Sequence, residues 1–165
     1  MADRRTVTGP GPEPIIRPVC WGAGPNEGGW HVRGTVVVAE DDPGLREVLL
    51  HVLHEAGYQV LLVTREADTL ATVRRLGAQC LLILEAKLPD GASEAILQTL
   101  ASGPAPIGCP VVLLSGPAVE SRSPNVVGVL RKPFELTRML AVVKAFCPSP
   151  APPPSPARGS APAAA

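Results

Sequence analysis

The chain lacks an excess of charge of either sign, fifteen Lys and Arg balancing fifteen Asp and Glu over 165 residues. With no net field and no stripe of basic residues, nothing in it attracts nucleic acid or an anionic membrane surface, so neither is an expected partner. Long apolar runs are missing too: none approaches the roughly twenty residues that cross a bilayer, and the N-terminus has no apolar core of a secretory signal. The expected location is the cytoplasm. Cysteine is scarce, and Cys20, Cys80, Cys109 and Cys147 fit neither a CxxC pair nor a disulfide framework. Three of them lie beside or within apolar segments and read as small buried hydrophobes in a reducing compartment. The histidines are His31, His51 and His54. His51 and His54 are three apart on one helix, but no third ligand is near in sequence, and they read as a polar helical edge. The segment GAGPNEGG lacks the GK[ST] ending of a phosphate loop and precedes no helix. No enzymatic activity is expected.

What the chain does have is one domain's worth of core. Hydrophobic residues make up 45% of the sequence, but the two ends contribute little to burial. Residues 1–33 carry repeated Gly and Pro, and residues 148–165 form a Pro/Ala tract, PSPAPPPSPARGSAPAAA. Both are expected to be disordered. Trp21 and Trp30 are the odd members of the N-terminal arm, since an exposed indole is costly and suggests packing on the domain or on a partner. The domain itself is expected over residues 34–147.

Within it, strand and helix patterns alternate. Gly34–Ala39 is a β-branched run ending in Glu40, Asp41, Asp42 and Pro43. Asp42 suits an N-cap and Pro43 a first helical position, after which Leu45, Val48, Leu49, Val52 and Leu53 recur at helical spacing as far as Gly57. Tyr58–Val63 is a second strand, and Glu66–Leu76 a helix with Leu70, Val73 and Leu76 on one face. LLILEAKLPDG, from Leu81 to Gly91, is a buried strand running into a turn. Ala92–Leu100 is a helix, Pro110–Leu114 and Val126–Leu130 are strands, and Leu136–Phe146 is an amphipathic helix with Leu136, Met139, Leu140, Val143 and Phe146 facing inward. Such alternation predicts an α/β fold, a three-layer α/β/α sandwich around a five-stranded parallel sheet. In an open parallel sheet, chemistry collects at the carboxyl ends of the strands. There the sequence places Glu40 and Asp41, then Glu85, Ser115 and Lys132.

The runs VVVAEDDPGLR, LLILEAKLPDG, PVVLLSG and VLRKPFE, in this order and at these intervals, resemble the receiver domain of response regulators, the flavodoxin-like, CheY-like module of two-component phosphorelay signalling. The resemblance covers residues 34–147. It implies an acidic pair for Mg²⁺ at Glu40 and Asp41, completed by Glu85, with Glu85 in the phosphoacceptor place and Ser115 and Lys132 as the switch hydroxyl and lysine. It also implies a protein partner, a histidine kinase or another signalling protein.

Three departures stand out. The family's acceptor is Asp, and Glu85 carries one more methylene. That advances the carboxylate by on the order of 1 Å, and misplacement of that size costs about a hundredfold in a geometry-dependent step. With Glu40 also longer than Asp, a Mg²⁺ site that is weak or absent is expected. The stretch between Ser115 and Lys132 is short and contains Pro117, Pro124 and Gly128, so the family's fourth helix is expected to be truncated or lost. Val129, in GVLRK, stands where the family often keeps a moving aromatic.

The reading that follows is an atypical, single-domain pseudo-receiver acting by protein–protein contact in a phosphorylation-independent state, no output domain following Cys147. Two alternatives stand beside it. One is a phospho-accepting phosphate shuttle using Asp41 or Asp90, and the other is a structural interaction domain with a relic site.

Overall fold

The computed structural model describes residues 33–102, 107–116 and 121–147. The two terminal segments read above as disordered, with Trp21, Trp30 and Cys20, lie outside the described residues apart from Arg33. Arg33 is tied to the domain, its backbone N–H donating to Gly57 O at 3.0 Å.

Five strands, β1 (Thr35–Ala39), β2 (Gln59–Val63), β3 (Cys80–Glu85), β4 (Val111–Ser115) and β5 (Val126–Arg131), form one sheet in the order β2-β1-β3-β4-β5. All four pairings are parallel. Four helices connect and close it: α1 (Pro43–Glu55), α2 (Glu66–Leu76), α3 (Ala92–Ser102) and α4 (Leu136–Phe146). The three-layer α/β/α sandwich expected from the alternating pattern is therefore the fold.

The strand alternation explains the two cores. Val37, Leu82, Leu84, Val111 and Leu113 point to one face, where Leu70 and Val73 of α2 and Ile96 and Leu100 of α3 cover them. Val36, Val38, Leu81, Ile83, Val112 and Leu114 point to the other, beneath Leu49 and Leu53 of α1 and Met139 and Val143 of α4. Because β3 is central and packed on both faces, every one of its residues is buried. This is why it reads as an unbroken apolar run instead of an alternation.

Local signals set most boundaries. Asp42 caps α1, its Oδ1 accepting from Leu45 N–H at 2.6 Å, with Pro43 at the first helical position. Gly57 and Gly77 adopt φ values of 88° and 57°, left-handed turns that end α1 and α2 and that a Cβ would strain. The strand expected to begin at Pro110 begins instead at Val111. Proline has no N–H to give the ladder, although its carbonyl still accepts from Leu82 N–H at 2.9 Å.

Two of the residues expected to face inward on α4 do not: Leu136 and Phe146 are 37% and 42% exposed. They occupy the two ends of an eleven-residue helix beside the edge strand, so only its middle, Met139 and Val143, lies over the sheet. Between β4 and β5, residues 117–120 lie outside the described residues, and Gly116 and Ser121–Asn125 form no helix. The lost helix expected there agrees with the part that is described.

Removing the α1 cap checks the local argument. Asp42→Ala should lower stability by about 1 kcal/mol in urea or thermal unfolding, while the Lys132 contacts described below, as read by carboxyl NMR shifts, stay in place.

Candidate functional site

The strand order reverses at β1, with β2 on one side and β3 on the other, so a crevice opens beyond the carboxyl ends of β1 and β3. Glu40 follows the last residue of β1, and Glu85 is the last residue of β3. Lys132 follows β5 and enters the same crevice from the far edge, its backbone N–H bonded to Ser115 O at 2.7 Å and its peptide bond to Pro133 cis.

The three side chains meet. Lys132 Nζ donates to Glu40 Oε2 at 2.9 Å and also to Glu85 Oε2. Each carboxylate has a second donor from its own turn: Asp42 N–H to Glu40 Oε1 and Lys87 N–H to Glu85 Oε1, both at 3.1 Å. Glu40 is fully buried and Glu85 is nearly so. Two residues that sequence reasoning missed fasten these turns. Arg46 Nη1 donates to Glu40 O at 3.0 Å, and Ser93 Oγ donates to Glu85 O at 2.6 Å while accepting from Leu88 N–H at 2.9 Å. Arg46 lies one helical turn into α1 and Ser93 at the start of α3. An Arg or Ser in a first turn is too common a feature to have singled either out.

The other expected members are placed differently. Asp41 is exposed and makes no ion pair among the described residues, so the acidic pair is split, with Glu40 inside and Asp41 outside. Ser115 is fully buried at the end of β4, but its hydroxyl donates to Gly116 O at 2.7 Å and not to Glu85. Val129 lies half-buried against the core face covered by α2 and α3. Asp90 is exposed in the turn after β3 with a φ of 57°. Among the described residues, no three His, Cys, Asp or Glu side chains group to hold a metal ion. A cleft of about 470 Å³ lies beside the crevice, between Ser93 and Leu97 of α3 and Ser121–Ser123, over Leu113, and it includes none of the three charged groups.

Electrostatics follow from this packing. Burial pushes the Glu40 carboxyl above its ordinary value of 4.5, and the nearby Glu85 charge adds to that. The Lys132 hydrogen bond, the Asp42 N–H and the Lys132 charge oppose the shift without cancelling it. Burial works to lower Lys132, but its bonds to Glu85 and Glu40 outweigh that and hold the ammonium above 10.5. The raised Lys132 value stabilises the fold at all pH values below 10.5, and that contribution is lost as pH rises through the folded value. The raised Glu40 value costs stability above about pH 4.5, and the cost fades as pH falls through its folded value.

Lys132→Ala should therefore destabilise by about 1 to 3 kcal/mol at pH 7, since it strands two buried acids; the partial exposure of Lys132 keeps the loss below that of a fully buried pair. The deficit should shrink in melts at acid pH. In a carboxyl NMR titration the Glu40 midpoint should rise in Lys132→Ala and fall in Glu85→Gln. An unmoved midpoint in both would mean that the three groups do not form one site.

No protein-family profile matches the chain. Over 127 residues it is 33% identical to the transcriptional regulatory protein VxrB of Vibrio cholerae, covering 72% of this chain and 48% of VxrB. Over 119 residues it is 30% identical to the transcriptional regulatory protein GltR of Pseudomonas aeruginosa, covering 68% of this chain and 48% of GltR. The chain thus spans about half the length of these relatives. Among solved structures it superposes on a response regulator receiver domain protein from Bacillus halodurans with a TM-score of 0.58 at 23% identity, covering 70% of this chain and 98% of that one. With the sheet order, the strand-end residues and these likenesses in agreement, the described residues form a receiver domain of the CheY-like response-regulator family.

Proposed function

We propose that this receiver works in two-component signalling as a pseudo-receiver, presenting a fixed surface to a protein partner without a phosphorylation cycle. The observation that carries the reading is the Lys132 ammonium held between Glu40 and Glu85. In a phospho-accepting receiver, the lysine and the hydroxyl gain a partner when the phosphoryl group arrives. Here a permanent carboxylate at the end of β3 already holds the lysine. The hydroxyl of Ser115 is turned to a backbone carbonyl. The crevice resembles a charged state made of side chains, so its partner surface does not wait on a donor.

The residues present do not fit Mg²⁺ well. A small octahedral ion asks for closely spaced oxygens, yet Glu40 and Glu85 are committed to the ammonium and Asp41 lies outside the group. Bringing the ion in would displace Lys132 and place two cations in one crevice. Metal dependence is therefore not part of the proposed function, and no enzymatic step is assigned.

The partner is a cytoplasmic signalling protein, a histidine kinase being the class the receiver fold implies. Among the described residues, no helix is long and apolar enough to cross a membrane. The relatives named above are transcriptional regulators. For this domain we infer no contact with nucleic acid, because the chain as a whole carries no net charge and its basic residues form no stripe. The phosphate-shuttle alternative would need Asp41 or Asp90 as acceptor, and both are exposed loop acids apart from the Lys132 group.

Labelled acetyl phosphate with Mg²⁺ tests the reading directly. The expected outcome is no base-labile acyl phosphate on the parent and millimolar or weaker Mg²⁺ binding by NMR titration, with Glu85→Asp binding the ion more tightly. Stoichiometric labelling of the parent would overturn it.

A further inference from the structure

The opposite rim of the sheet carries a pair of side chains that the charged crevice does not use. Cys80 opens β3, and Cys109 lies two residues before β4. The β3–β4 register pairs Leu82 with Val111, so two steps back along both parallel strands bring the cysteines side by side. Both are fully buried, and their sulfurs are 3.6 Å apart. Neighbouring strands run about 4.8 Å apart, within the Cα separation of roughly 4.4–6.8 Å that a disulfide spans. Both side chains face the same core layer, so only a movement of about 1.5 Å by the sulfurs separates contact from a bond.

We propose that Cys80 and Cys109 are a reversible modification site for a peroxide-class oxidant, closing to a disulfide that staples β3 to β4 at the rim opposite Lys132.

The surroundings suit the role. Asn125 Nδ2 donates to Ile107 O at 2.7 Å and to Cys109 O at 3.1 Å, which fixes the backbone presenting Cys109. The cover is thin: Ala78, Gln79 and Gly108 are all exposed, and a Cβ on Gly108 would lie 3.7 Å from that of Ala78. A local opening of these two short turns admits a molecule as small as hydrogen peroxide.

The two thiols are also unequal. The two sulfurs lie within hydrogen-bond reach, either being able to donate, and this contact draws the Cys80 thiol below its ordinary value against the effect of burial. That contact and burial hold Cys109 above its ordinary value. In the proposed reaction Cys80, the first residue of β3, is assigned as the attacking sulfur. Its thiolate takes one oxygen of the peroxide, the O–O bond breaks, and the leaving oxygen departs as water, giving a sulfenic acid on Cys80. The Cys109 sulfur then attacks Cys80 sulfur, the S–O bond breaks, and a second water leaves. Two thiols lose two electrons and two protons, and one peroxide becomes two waters.

The full-length chain treated with hydrogen peroxide, then alkylated in denaturant and mapped without reduction, tests the proposal. The expected result is loss of two of the four alkylatable cysteines, a peptide joining Cys80 to Cys109, and recovery of both thiols with dithiothreitol. The stapled chain should melt higher, by on the order of ten degrees. Cys80→Ala and Cys109→Ala should each abolish the cross-link and the thermal shift. If one variant fails to fold, the other and the parent's map still decide. Four intact thiols at peroxide levels that oxidise an exposed cysteine would overturn the proposal. So would a cross-link through Cys147 or Cys20, or irreversible sulfinic acid on Cys80.

Discussion

A single ammonium shared by two buried carboxylates holds the carboxyl end of this domain together. Glu40 has no contact with solvent, and a charged acid there is tolerated only because Lys132 and the Asp42 N–H lie against it. Glu85 depends on the same lysine from the neighbouring strand. Burial is the main reason that Glu40 sits above its ordinary pKa, with the Glu85 charge adding a little, while the bonds to both carboxylates hold Lys132 charged. The arrangement ties the ends of β1, β3 and β5, three strands distant in sequence, through electrostatics instead of apolar packing.

That triad also bears on how the domain works. A receiver that responds to phosphate must leave its lysine ready for a new anion. A lysine already bound to two carboxylates has a smaller free-energy gain available from another anion, and any newcomer must first compete with Glu40 and Glu85. The surrounding turns reinforce this, with Arg46 and Ser93 fastening the carbonyls of Glu40 and Glu85. The crevice is therefore preorganised around its own charges.

The two rims of the sheet make a useful contrast. At the carboxyl rim the strands deliver charged groups, and at the amino rim they deliver thiols. Both groupings come from one register: Leu82 pairs with Val111 and Ala39 with Leu84, and this aligns every strand end with its neighbours. A slip of one residue would turn each of these side chains to the opposite face and dissolve both.

The amino-acid sequence by itself determined the layered fold, because apolar period and turn residues are local quantities: α2 and α4 begin and end at the expected residues, and Asp42 and Pro43 announce α1. It also determined that Glu40, Asp41, Glu85, Ser115 and Lys132 would gather at one rim of the sheet, since strand ends in a parallel sheet converge wherever the chain folds this way. Only the tertiary structure decided the rest. Whether Glu40 or Asp41 turns inward depends on a single backbone step after β1. The partner of the Ser115 hydroxyl depends on which acceptor lies nearer. The exposure of Leu136 and Phe146 depends on where α4 overhangs the edge strand. The contact of Cys80 with Cys109, 29 residues apart, depends on lateral register. Periodicity along a chain carries no information about distances across it, and these four outcomes are all set by distances across it.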